Sequence, residues 1–179
     1  MENHDSVTLT SAEMGKLWST YMGNTLAKCV LKYYLQHVDD QDIKAILEHA
    51  LNLCETLVEK IKNIFTQEGF PIPIGYTDED VNLDAPRLFV DEFYLHYLKY
   101  TGKSGLSIYA IAIPIMTRAD IRDFFIQTLD STIKLLTDVN EALMKKGCYI
   151  KPPQIPIPEQ VDFIKKQNYL NGFFGEVRA

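Results

Sequence analysis

Apolar residues recur along four stretches of this chain at the three- and four-residue spacing of an amphipathic helix. The clearest run is Ile43, Leu47, Ala50, Cys54, Leu57, Ile61 and Ile64, a heptad seam suited to antiparallel neighbours. That helix should stop at Gly69, with Pro71 and Pro73 just beyond it. Upstream, Thr10 and Glu13 form a capping box, so the first helix should run from there to about Val38. Its broad apolar surface comprises Met14, Leu17, Trp18, Tyr21, Met22, Leu26, Cys29, Val30 and Tyr33. Asp39 and Asp40 then make a tight corner and place negative charge at the start of the second helix. The third pattern predicts a helix opening at Asp84, with Pro86 in its first turn, and running through Tyr109. Pro114 should kink or break it. A fourth helix is expected from near Arg118 to Gly147, with Ile121, Phe125, Leu135, Val139 and Ala142 facing inward.

The second half of this pattern repeats the first. A shift of 78 residues lays Asp42-Ile43-Lys44 on Asp120-Ile121-Arg122, Gly69 on Gly147 and Leu17 on Leu95. It also lays the second helix's seam on Ile121, Phe125, Thr128, Thr132, Leu135, Val139 and Ala142. Two copies of one helical hairpin are the simplest source of such a match. The fold expected is therefore all-α, a ferritin-like antiparallel four-helix bundle in one domain. Its parts are hairpin 1 over about 10–69, a crossover over 70–83, hairpin 2 over about 84–147 and a tail over 148–179. A helix of 28 residues would be about 42 Å long. The link from Phe70 to Leu83 can stretch about 45 Å, enough to run the length of the bundle. Such a crossover joins the hairpins of ferritin-like bundles, whereas an up-down-up-down bundle needs only a short loop. The tail, rich in proline through Pro158, should be extended before a short helix from Glu159 to Tyr169.

Composition narrows the function classes. The 179 residues are 46% hydrophobic and 23% charged, values of a globular chain. A net charge of −6 with no basic stripe argues against nucleic acid and against anionic lipid surfaces. The longest apolar run, Ser107 to Met116, is about half a membrane span. The polar, acidic start is unlike a signal peptide, and three cysteines without a C-x-x-C suit a reducing compartment, so a soluble cytoplasmic protein is expected.

A ferritin-like bundle raises the question of a metal site, normally built from Glu and Glu-x-x-His on facing helices. No Glu-x-x-His occurs here. Glu92 and His96 do lie four apart on the third helix, and they make the one candidate pair for a metal ion or small ligand. Glu55, Glu59 and Glu141 are possible additional oxygen ligands, and helix levels place His96 near Asp138 and Glu141. The alternative is a surface Glu–His pair or a structural network. No Ser/His/Asp set, phosphate loop or other catalytic motif is present, so no catalytic residue and no cofactor is assigned.

The stretches LTSAEMGKLWSTYM, VLKYYLQHV, EGFPIPIGYTDEDVNLDAPRLF and IKPPQIPIPEQVDF resemble a family of uncharacterised proteins of endospore-forming bacteria. Its members are often labelled spore-coat-related and many carry two such units in tandem. The resemblance implies a ferritin-like bundle and a sporulation connection, and it brings no catalytic residues. The reading it favours is a non-enzymatic structural or interaction protein, cytoplasmic or spore-associated, with itself or other coat proteins as partners. A single unit should form a two-fold homodimer through Tyr34, Tyr94 and Tyr97 and the tail around Phe173 and Phe174.

Overall fold

The computed structural model describes residues 7–157, and the regular elements among them are all helical. Four helices, α1 (Ser11–His37), α2 (Gln41–Gln67), α3 (Asp91–Ala112) and α4 (Ala119–Lys145), form a bundle. Residues 150–157 belong to a separate unit and carry no helix or strand. The short helix expected at Glu159–Tyr169 and the phenylalanines Phe173 and Phe174 lie outside the described residues.

The helix ends follow from local chemistry. Thr10 and Glu13 close the expected capping box at α1. Asp40 caps α2 by accepting from the Asp42 and Ile43 N–H groups at 3.0 and 3.1 Å. Both α2 and α4 stop in the same way, on a glycine in the left-handed region (Gly69, φ 69°; Gly147, φ 72°). The Phe70 and Cys148 N–H groups then reach back to the Phe65 and Leu143 carbonyls, at 2.9 and 3.0 Å. The two helices thus match residue for residue under the 78-residue shift.

The crossover is present and can be followed along α1. Tyr76 N–H donates to Thr25 Oγ1 at 3.2 Å, Cys29 Sγ to the Thr77 carbonyl at 3.2 Å, and Lys32 pairs with Asp78. Tyr33 donates to the Pro86 carbonyl at 2.7 Å, and Arg87 bonds Asp39 at the α1–α2 corner. The link therefore climbs α1 from Tyr21 to its C-terminal end, and α3 starts at the end where α1 stops. Gly75, at φ 69°, lies where this strand presses on α1. A Cβ there would sit 2.9 Å from Thr25 Oγ1 and 3.1 Å from the Tyr21 ring. Gly75→Ala should cost about 1–3 kcal/mol through backbone strain and this clash. Urea unfolding should show a lower midpoint with an unchanged slope.

Several expectations need correction. The third helix begins at Asp91, not Asp84, and the crossover extends through Val90 rather than ending at Leu83. Ala85 precedes a proline and is biased away from helical geometry, and the Pro86 carbonyl is taken by Tyr33. The break expected at Pro114 is present: the helix ends at Ala112, and Pro114 sits in a 3-10 turn over Ile113–Ile115. On α1, Trp18 and Leu26 are about half exposed, because the apolar surface is wider than the bundle covers. On α2, Val58 and Phe65 are buried, while Cys54 and Ile64 are only partly so.

Candidate functional site

The two hairpins grip each other through matching carboxylates. Glu13 is fully buried, and its Oε1 accepts from the Thr117 and Arg118 N–H groups at 2.9 and 2.8 Å and from the Thr117 hydroxyl at 3.0 Å. Its Oε2 accepts from the Thr10 N–H and hydroxyl, both at 2.8 Å. Burial by itself would raise the Glu13 pKa, but these hydrogen bonds outweigh it and hold the group down at about 2. The 78-residue shift lays Glu13 on Asp91, whose Oδ2 accepts from the Asp39 and Asp40 N–H groups at 3.1 and 2.8 Å. Each hairpin's first helix thus caps the corner of the other. The same shift relates the Arg118–Glu68 pair to Asp40–Lys146, both at 2.5 Å, with the charges exchanged. Sequence reasoning saw Glu13 only as half of a capping box; its alignment with Asp91 was the available signal.

Between the hairpins the buried core divides in two. One cluster, around Tyr34, Leu47, Leu95 and Val139, lies toward the α1–α2 corner. The other, around Leu17, Ile61, Phe65 and Phe125, lies toward the opposite end. The waist between them mixes small and polar residues with leucines from both clusters and holds a cleft of about 440 Å³ lined by all four helices. Thr20, Asn24 and Ala27 line it from α1, and Gly102, Gly105 and Tyr109 from α3. No Asp, Glu, Lys, Arg or His is among the lining residues. Burial raises the Tyr109 pKa and pushes the Cys54 thiol, also in the wall, up to about 12. That thiol stays protonated at neutral pH and is not an activated nucleophile. The polar seam residues Thr128 and Thr132 were the visible signs of this waist in the sequence.

The residues considered for a metal do not come together. Glu92, Glu59 and Glu141 are exposed, and His96 and Glu55 are half-buried. Asp138, expected beside His96, instead meets His49 Nδ1 at 3.6 Å. Among the described residues no three His, Cys, Asp or Glu side chains are grouped to hold a metal ion. Under the 78-residue shift Glu92 and His96 correspond to Met14, which packs half-buried on the edge of a core cluster, and to Trp18, which is half exposed.

Of the tyrosines expected at an interface, Tyr34 and Tyr94 are core residues and Tyr97 packs half-buried against them. Tyr34 and Tyr94 are buried and stack at 4.3 Å, and Tyr97 meets Tyr34 edge-on at 5.2 Å. They join α1 to α3 at the end where the crossover arrives. What the end of the crossover and the first turn of α3 expose there instead is Leu88 (69%), Val90 (63%) and the stacked pair Phe89 and Phe93.

Residues 2–161 match a family described as "Protein of unknown function (DUF3231)". The chain belongs to that family. No curated protein matches it. Among solved structures, one described as a "putative spore coat protein" from Bacillus halodurans C-125 is 17% identical. Its TM-score is 0.77, covering 87% of this chain and 100% of that one. A conserved hypothetical protein from Mycobacterium tuberculosis is 14% identical, with a TM-score of 0.61 over 76% of this chain and 100% of its own. At these identities the likeness concerns the fold. This DUF3231 member is an all-α bundle, and none of its described helices is long and apolar enough to cross a membrane.

Proposed function

We infer that this protein is a non-enzymatic structural or interaction protein of the spore-forming cell, and that it works as a homodimer. The spore connection draws support from the description of the Bacillus halodurans relative and from the sequence resemblance. A ferritin-like reading draws support from the long crossover, which is the connection such bundles use. The observation that carries the assembly reading is the apolar patch at the start of α3. Leu88, Phe89, Val90 and Phe93 are four large apolar groups within six residues, all more than a third exposed. Contiguous apolar surface of this kind marks a contact face, and two-fold closure buries it against itself. Arg87, next to it in the chain, is ion-paired with Asp39 and Asp91, a polar border to an apolar centre.

Light scattering at tens of micromolar protein should give about twice the chain mass of 20.5 kDa. Leu88→Glu with Phe93→Glu should return it to the monomer mass. A wild-type mass near that of one chain would refute the dimer. In sporulating cells a fluorescent fusion should redistribute to the developing spore; a uniform signal unchanged by sporulation would count against the spore role.

A further inference from the structure

We propose that the waist cleft between α1 and α3 is a binding site for a small neutral amphiphile, a mainly hydrocarbon molecule carrying one hydroxyl or carbonyl group. This is independent of the patch at the start of α3. The cleft's volume of about 440 Å³ falls in the range of small-molecule sites. Its walls are mostly apolar, from Leu31, Leu53, Leu57, Leu98, Ile108 and Leu135. With no charged side chain in the lining, a carboxylate or ammonium would lose its hydration without a counter-charge, so the ligand is uncharged.

The polar group is called for by Thr20. This residue lines the cleft and is 4% exposed, and its Oγ1 has no hydrogen-bond partner. Threonines inside helices ordinarily give their hydroxyl to the carbonyl one turn back, as Thr128 gives to Phe124 and Thr132 to Thr128. Thr20 does not, and the Lys16 carbonyl one turn back already accepts the Ser19 hydroxyl at 3.1 Å. Its own carbonyl is taken by Asn24 Nδ2 at 2.8 Å. A buried hydroxyl left unpaired costs about 1–3 kcal/mol, a cost that a ligand oxygen removes. A turn about χ1 exchanges this hydroxyl with the methyl group, and threonine in a helix has two such rotamers. Small residues keep the cleft open. A Cβ added at Gly23, in its wall, meets no atom within 4 Å.

The test uses the full chain with the neutral fluorophore N-phenyl-1-naphthylamine. Fluorescence should rise saturably, and 1-octanol should displace the probe at concentrations about tenfold lower than octanoate does. Gly23→Leu, which extends into the cleft, should weaken probe binding about tenfold or more while the helical circular dichroism is kept. Ala27→Leu serves as a second blocking variant should the first not fold. Thr20→Val should leave the probe's affinity unchanged but weaken 1-octanol about three- to tenfold. The proposal is overturned if the probe does not saturate or if both blocking variants bind it as wild type does. It is equally overturned if octanoate competes as well as 1-octanol. An unchanged 1-octanol affinity in Thr20→Val would remove the hydroxyl from the site.

Discussion

Glu13→Ala is expected to destabilise the bundle by about 3–5 kcal/mol, because it strips the acceptor from buried donors on two separate segments. The Thr10 groups on one side and the Thr117 and Arg118 N–H groups on the other all end on this single carboxylate. Glu13→Gln should recover little, since its NH2 must face donors on one side or the other. Acid titration provides a separate check. The folded pKa of about 2 lies below the ordinary 4.5, so the carboxylate's contribution is fully present above pH 4.5 and is lost as pH falls toward 2. That window should remove about 3 kcal/mol from the wild type. Glu13→Gln should show a correspondingly flatter stability profile between those pH values. Equilibrium urea unfolding at pH 7, 4.5 and 3 measures both effects, and equal slopes against pH in the two proteins would contradict the account.

Phe125→Ala should cost a similar amount, about 3–5 kcal/mol, for a different reason. The ring is wholly buried, with Phe124 edge-on at 5.1 Å and Tyr109 at 6.3 Å. It belongs to the core cluster away from the α1–α2 corner, whose helices cannot collapse far without disturbing the waist above. Loss of the ring removes its transfer free energy and leaves a cavity beside Tyr109. Phe125→Leu should recover most of the loss, since it restores much of the volume. A cost below about 1 kcal/mol for Phe125→Ala in urea unfolding would mean that this cluster is far looser than its burial indicates.

The two predictions differ in how they relate to the sequence. Phe125 sits on a seam whose period can be read directly, and the shift that pairs it with Leu47 requires no coordinates. Both residues are fully buried. Glu13 reads, locally, as an exposed-looking cap residue. Its second set of partners is more than 100 positions away, and no local pattern announces them. The start of α3 was misplaced for a related reason. Propensity tolerates Pro86 in a first turn, but the Tyr33 hydroxyl and the span of the crossover keep those residues out of the helix.

The sequence by itself determined the four helices, three of their capped ends, the 78-residue repeat and the long crossover. Each of these rests on periodicity, chain length or turn chemistry within a few residues. Only the tertiary structure decided which side of each helix the bundle covers. Tyr34 and Tyr94 went inside and Trp18 and Phe93 outside, although all four suit either place by residue type. It also decided that Glu92 is exposed and His96 only half-buried, and that the cleft at the waist is lined by uncharged groups. The physical reason is that helical periodicity gives the relative angle of side chains on one helix. Which angle is buried depends on where the neighbouring helices approach, and that is set by the packing of all four at once.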